Sequence, residues 1–354
     1  MCSEYAHFVD INDYPTEKWE EIFSKAHTIK EFLKNFRSND FSEKVMATLF
    51  FENSTRTRLS FQSAMTTMAG DIIDLGEHSS INKGESLKDT IKMVAGYSDI
   101  IVIRHKYAGA AKVASMYATC PVINAGDGEH FHPTQTLTDL FTLSEEKHTF
   151  SNLTIGVCGD LKLGRTSHSL CRALSLYPNN HFVFIPCDGL EMPDDICDFI
   201  LKHNCTYEVV KTIEEKIDTF DVLYMTRIQR ERIEYNYDLK NFILTKQSLK
   251  TAKKDLLILH PLPRNEEISV EVDEDERAFY FKQATNGVYA RISLIKMLLD
   301  HKEQTELFQG EVMALECNNR NCISRHEKYL PHYFVKTEKG FRCEYCDHIN
   351  NGLD

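Results

Sequence analysis

VMATLFFENSTRTRLSF, residues 45–61, passes from an unbroken apolar segment into one rich in hydroxyls and arginines. Its first seven residues are too few for an ordinary helix and read as a buried strand. Ser54 and Thr55 are good N-caps, and 55–69 carries a helical pattern. A helix start presents free N–H groups and the positive end of the dipole. Two hydroxyls and a guanidinium added there make a phosphate cradle that needs no glycine loop. On Ser54-Thr55-Arg56-Thr57-Arg58 alone, a solvated helix start with ordinary capping explains the residues equally well.

The same strand-to-helix step recurs outward from this stretch. After an amphipathic opening helix (about 16–36), DIIDL (71–75), DIIVIRH (99–105) and PVINAG (121–126) read as strands, with helices at 86–97 and 110–118. A long helix follows at 132–147, with Leu137, Leu140, Phe141 and Leu143 at helical spacing. Then the alternation restarts with LTIGVCGD (153–160), HFVFIP (181–186), TYEVV (206–210), DVLYMTR (221–227) and LLILHPLP (256–263), with helices at 164–176, 193–203 and 285–301. Such alternation predicts an α/β fold of two domains, each a mostly parallel sheet flanked by helices, and the four cysteines clustered at 317–346 add a small C-terminal zinc domain. The expected boundaries are 1–148, 149–301, a connector at 302–316, and 317–354.

At 354 residues, the chain is too long for one ordinary core. No apolar run approaches the ~20 residues of a membrane span, and MCSEYAHFVDINDY has the features of neither a signal nor a transit peptide. The expected compartment is the cytoplasm. Seven cysteines (2, 120, 158, 171, 187, 197, 205) are scattered, mostly in apolar segments, as small buried hydrophobes. A net charge of −12 argues against a nucleic-acid partner, which needs a broad basic surface. Local positive clusters in an acidic chain suit a small anionic ligand instead.

Those clusters fall at strand ends. Arg104 closes one strand, and His132 and Gln135 start a helix in HPTQTLTDL. Arg165 stands at a strand-to-helix turn, Arg227 and Gln229 follow another strand, and HPLPR (260–264) ends the last with two prolines that leave carbonyls free. In open parallel sheets, ligands bind beyond the carboxyl ends of the strands. By contrast, Asp160–Gly164 lacks the G-x-G-x-x-G spacing of a dinucleotide site, and GDGEH (126–130) reads as a tight turn.

Over residues 1–301 this set resembles the aspartate carbamoyltransferase catalytic chain of pyrimidine synthesis, through STRTR, SxxxKGE, HPTQxLxDL, DLKxGRTxHSL, YMTRxQxER and HPLPR in order and spacing. The resemblance implies carbamoyl transfer from carbamoyl phosphate to L-aspartate, the second step of de novo pyrimidine synthesis. It implies that Ser54, Thr55, Arg56 and Thr57 hold the phosphate, and that Arg104, His132 and Gln135 surround the carbamoyl group, with the Leu262 carbonyl accepting from its amide. Arg56, Thr57, Arg104 and His132 take the catalytic roles. Arg165, Arg227 and Gln229 grip aspartate, with Lys83 and Leu262 beside them. Ser79 and Lys83 reach the site of a neighbouring subunit, which makes a homotrimer the minimal active unit. No cofactor is expected for catalysis. His132 is expected to donate a hydrogen bond to the carbonyl rather than act as general base, and Glu52 with Arg232 to form part of an interdomain ion pair. Ornithine is the alternative acceptor. In ornithine enzymes, a cysteine stands where Pro261 stands here, and the arginine-rich 227–232 loop suits an anionic substrate.

The tail, C-x4-C-x20-C-x2-C at Cys317, Cys322, Cys343 and Cys346, supplies four thiolates for a closed structural zinc site. His326, His332 and His348 are then packing or surface residues. CNNRNCISRHE and CEYC resemble the zinc domain of the aspartate carbamoyltransferase regulatory chain. The connector leaves no room for that chain's nucleotide-binding domain, so regulation by CTP or ATP through it is not expected. The tail is expected to serve assembly, joining catalytic subunits or capping a trimer edge. Its mixture of acidic and basic residues again argues against nucleic acid.

Overall fold

The computed structural model describes residues 2–3, 6–75, 84–227, 242–300 and 305–350. The chain divides into two compact units, Met1–Thr134 with Val288–Asp354, and Gln135–Gly287.

The first unit opens with β1 (Cys2–Ser3) and α1 (Thr16–Leu33), whose buried Trp19, Ile22, Phe23 and Ala26 make one stripe. There follow β2 (Val45–Phe50), α2 (Thr55–Thr67), β3 (Asp71–Leu75), α3 (Leu87–Ala95), β4 (Ile100–His105), α4 (Ala110–Tyr117) and β5 (Val122–Asp127). Their strands pair in parallel in the order β3-β2-β4-β5. Central β2 and β4 are covered on both faces, which is why they read as continuous apolar runs. Edge strand β3 exposes Asp71 and Asp74, charges that discourage further pairing.

In the second unit, α5 (Pro133–Lys147) leads to β6 (Thr154–Gly159), α6 (Arg165–Ser175), β7 (His181–Pro186), α7 (Asp194–Lys202), β8 (Thr206–Val209), β9 (Val222–Met225) and β10 (Leu257–Leu259). These strands form a parallel sheet in the order β10-β9-β6-β7-β8. α8 (Tyr280–Asp300) begins ahead of the expected start near 285, and from Val288 onward it belongs to the first unit. There Arg291 donates to Ser60 Oγ (3.1 Å), Ser293 Oγ to the Ile22 carbonyl (2.8 Å), and Lys296 pairs with Asp40 (3.0 Å). Periodicity shows a helix's apolar face but not its neighbour.

The C-terminal module belongs to the first unit. β11 (Thr305–Glu306) pairs antiparallel with β1, and β12 (Glu311–Val312), β13 (Tyr333–Thr337), β14 (Gly340–Cys343) and β15 (Ile349–Asn350) form an antiparallel sheet in that order. The sheet thus takes in 311–312, from the stretch read as connector. Leu307, Phe308, Ile323, Leu330, Phe334 and Tyr345 share one apolar core with Leu87, Ile91, Val113 and Ala114 of α3 and α4. The Ala108 N–H donates to the Asn321 carbonyl (2.9 Å), and the Ile323 N–H to the Ala108 carbonyl (2.9 Å). Gly109 has φ +86°, and a Cβ there would meet the Tyr345 carbonyl oxygen at 2.5 Å. His326 stacks on Tyr107, ring centroids 3.6 Å apart. At the start of α3, the Leu87 N–H donates to Glu327 Oε1 (3.2 Å) and the Lys88 N–H to the Tyr329 hydroxyl (3.0 Å). A carboxylate at that end also favours the helix dipole.

Two histidines of this unit couple its stability to pH. Burial lowers His7 to about 4, and its Nδ1 accepts from the Val122 N–H at 3.1 Å. Burial likewise lowers His105 to about 4, between Phe51 and Tyr107. Because the folded state holds both rings neutral, their contribution is whole above the ordinary value of 6.5 and is lost as pH falls from there through about 4. The loss is on the order of 3 kcal/mol for each. Urea midpoints followed down this range are expected to fall, less steeply in His7→Asn, whose amide oxygen can still accept from Val122. An identical slope in that variant rules His7 out.

Candidate active site and metal centre

The sheet of the first unit delivers several of the sequence-predicted residues to one place, the carboxyl ends of β2, β4 and β5. β2 ends at Phe50, and Ser54 is the extended N-cap (φ −155°, ψ 109°) of α2, without a side-chain capping bond. Thr55, Arg56 and Thr57 therefore form the first helical turn, where N–H groups lack intrahelical acceptors. Thr55 and Arg56 are exposed, whereas Thr57 is 7% exposed. Arg58 turns away onto Asp74 of β3.

Thr57 Oγ1 lies 3.5 Å from His132 Nε2, across 75 residues of sequence. His132, 7% exposed, immediately precedes Pro133, which starts α5 at no cost in lost hydrogen bonds. Arg104, near the end of β4, is 9% exposed. Its Nη1 donates to the Ala125 carbonyl at 3.2 Å, and its Nη2 lies 2.7 Å from Glu52 Oε2. Glu52 thus pairs within its own unit; Arg232, its expected partner, lies outside the described residues. Gly126 (φ +119°) faces both side chains: a Cβ there would meet Arg104 Nη1 at 2.7 Å and His132 Cδ2 at 3.4 Å. Thr57, Arg104 and His132 so form a cluster of donors beside a helix N-terminus, fit for a small anion with a polarisable carbonyl.

Sequence reading missed what holds this cluster. GDGEH is the tight turn expected, with Gly126 and Gly128 both at positive φ. Within it, Asp127, 1% exposed, accepts from the Gly109 N–H (2.7 Å), Asn124 Nδ2 (3.0 Å) and the Phe131 N–H (3.2 Å). His130 lies between Asp127 (Nδ1 to Oδ2, 3.3 Å) and Asp347 of the C-terminal module (Nε2 to Oδ2, 3.0 Å). Burial alone lowers its pKa, but the two carboxylates raise it to about 10, so the ring is cationic at neutral pH. An acid five residues before a helix-opening histidine was the available signal.

In the second unit, Gln135 Nε2 donates to Asp139 Oδ1 at 2.7 Å, leaving its carbonyl oxygen as an acceptor. Asp139 also accepts from the Tyr224 hydroxyl (2.8 Å) and Gln283 Nε2 (2.6 Å). Arg165 is the first residue of α6, and Arg227 follows β9. Leu262 has φ +52° and is joined to Pro263 by a cis bond. Its N–H donates to His260 Nδ1 (2.8 Å), whose Nε2 meets Glu267 (2.8 Å). Positive φ costs a leucine about 1–3 kcal/mol, which that hydrogen-bonded turn sustains. Ser79, Lys83 and Gln229 lie outside the described residues.

Cys317, Cys322, Cys343 and Cys346 are buried, with all four sulfurs within 4.8 Å of one another. Cys317 and Cys346 are 3.5 Å apart, and Cys322 and Cys343 3.8 Å. Four thiolates around zinc at about 2.3 Å require sulfur separations of roughly 3.8 Å, so the set fits a tetrahedral ion. Among the described residues, no histidine joins this group.

Family models match three stretches: the aspartate/ornithine carbamoyltransferase carbamoyl-P binding domain over 6–145, the Asp/Orn binding domain over 151–298, and the aspartate carbamoyltransferase regulatory chain metal binding domain over 311–353. The aspartate carbamoyltransferase catalytic subunit of Clostridium perfringens is 52% identical over 300 residues, spanning 83% of this chain and 97% of its own. That of Clostridium acetobutylicum is 52% identical over 298 residues, spanning 82% and 97%. Among solved structures, the catalytic subunit of M. jannaschii aspartate transcarbamoylase matches with a TM-score of 0.79 at 39% identity, covering 83% of this chain and 98% of that one. The Trypanosoma cruzi enzyme in complex with carbamoyl phosphate matches with a TM-score of 0.78 at 33% identity, covering 82% and 94%. This chain belongs to the aspartate carbamoyltransferase catalytic-subunit family, and carries behind that body a domain of the kind found on the regulatory chain.

Proposed function

We propose that the chain transfers the carbamoyl group of carbamoyl phosphate to the amine of L-aspartate at the cluster of Thr57, Arg104 and His132. The observation that carries this is the 3.5 Å approach of Thr57 Oγ1 to His132 Nε2 beside the N-terminus of α2. Ser54, Thr55, Arg56 and Thr57 bind the phosphate through hydroxyls, the first-turn N–H groups and the guanidinium. Arg104 and His132 donate to the carbonyl oxygen, while Gln135 and the Leu262 carbonyl accept from the carbamoyl NH2. Arg165, Arg227 and Gln229, with Lys83, hold the two carboxylates of aspartate. The neutral amine attacks the carbamoyl carbon, a C–N bond forms, and negative charge develops on the oxygen faced by Arg104, His132 and Thr57. The C–O bond to phosphate then breaks, and the departing phosphate takes the amine proton. No protein nucleophile is needed, because an acyl phosphate is already activated; the protein aligns two anions and stabilises an oxyanion.

We further assign zinc to the four-cysteine centre, in a structural role, since four thiolates leave no open coordination position. Ser79 and Lys83 serve a neighbouring subunit, so the working particle is a homotrimer or an assembly of trimers. The cytoplasm is the assigned compartment, where a reducing poise keeps such thiols available to metal. Among the described residues, no helix is long and apolar enough to cross a membrane.

Purified full-length protein given carbamoyl phosphate with aspartate or ornithine discriminates the acceptors. Carbamoyl-aspartate and stoichiometric phosphate are expected, with no citrulline. Faster citrulline formation, or phosphate release indifferent to aspartate, sinks the reading.

A further inference from the structure

We infer that the metal-binding module acts on catalysis, with Asp347 and His130 as positioning residues for His132. The inference rests on the proposed carbamoyl transfer and adds to it a part the catalytic body lacks alone. The module carries Asp347 to the turn before α5, where its carboxylate meets His130 Nε2 at 3.0 Å across 217 residues of sequence. The other ring nitrogen meets buried Asp127 at 3.3 Å. Asp127 is not a local cap: it accepts from the Phe131 N–H, from Gly109 and from Asn124, whose own Oδ1 accepts from the Gly126 N–H at 2.8 Å. The turn so fixed ends at His132 and backs Arg104 at Gly126. Both ends of the imidazole are therefore held by carboxylates, one from each side of the docked interface. The donors that face the carbonyl oxygen sit at the end of that chain of bonds. Misplacement of a catalytic group by about 1 Å can cost as much as 10²-fold, and a loosened turn shifts His132 by a fraction of that.

Asp347 has φ +57°, so Asp347→Gly removes its carboxylate without straining the backbone. His130→Ala lies outside the metal module and carries the test alone if the glycine variant loses its metal. Each is expected to lower kcat about tenfold with metal content and carbamoyl phosphate affinity retained. The double variant is expected to be no worse than the poorer single, because both cut one chain of bonds. A merely structural role is excluded by repeating the substitutions in His132→Ala: their effect is expected to shrink to less than about twofold there. Unchanged kcat in both variants, or a full tenfold loss in the absence of His132, overturns the inference. A parent enzyme that carbamoylates no aspartate overturns the function instead, and the two failures are thereby distinct.

Discussion

Arg104→Ala is expected to lower kcat by about 10²–10³-fold, the usual cost of removing one donor aimed at a developing oxyanion. The side chain is 11% exposed and its guanidinium is held on two sides, by the Ala125 carbonyl and by Glu52, so its pose needs no reorganisation when charge develops. Its charge is worth more there than in water, since screening by solvent is weak at a buried site. The carbonyl oxygen carries little charge in bound carbamoyl phosphate and much more in the tetrahedral intermediate. Ground-state affinity should thus change far less than turnover. Arg104→Lys should recover only part of the loss, because an ammonium cannot reach Ala125, Glu52 and the oxyanion with one planar fork. Folding should survive, as the Glu52 side chain left behind is 31% exposed and can hydrate. Single-turnover rates and a carbamoyl phosphate titration check this. A loss below about tenfold with intact fold removes Arg104 from the oxyanion role.

The parts of this fold that sequence could reach are those set by local patterns. VMATLFF and DIIVIRH read as strands because β2 and β4 are buried on both faces, and the STRTR turn reads as a helix start because Ser54 and Thr55 suit one. The candidate site reads in the sequence as a set of residues at strand ends, and two of them, Thr57 and His132, lie 3.5 Å apart. Partners distant in the chain were not legible. Nothing in GDGEH names Asp347, and nothing in YAGAA says that Ala108 bridges to residues 321–323 rather than to water. Gly109 illustrates the limit: a glycine before a helix has an ordinary local reading, whereas its reason is the Tyr345 carbonyl where a Cβ would stand. The same limit hid the neighbours of α8 beyond Val288, and the pairing of Glu311–Val312 with β13.

Stripping the metal, by a mercurial or through Cys343→Ser, is expected to unfold the module from Glu311 onward while leaving both parallel sheets in place. A module of about 40 residues cannot bury enough surface to fold alone, and a structural zinc contributes on the order of 10–16 kcal/mol in comparable peptides. The mercurial should spare the deeply buried thiols of the two sheets. Burial pushes Cys120 and Cys187 up to about 12, and Cys158 and Cys171 higher still, so these thiols hold little reactive thiolate. Release of the module uncovers Leu87, Ile91, Val113 and Ala114 and leaves the first turn of α3 without Glu327 and Tyr329. Dye binding and proteolysis confined to the C-terminal module should follow. Activity should fall about tenfold rather than vanish, through the lost hold on His130. Light scattering before and after treatment separates two roles for the module. A particle that drops to smaller active units shows that it ties subunits together, one of the two roles the sequence reading expects. A constant mass confines it to the chain on which it is docked. Stripped protein that resists proteolysis as well as the untreated enzyme shows the metal to be dispensable, and the module's stability must then come from the apolar core it shares with α3 and α4.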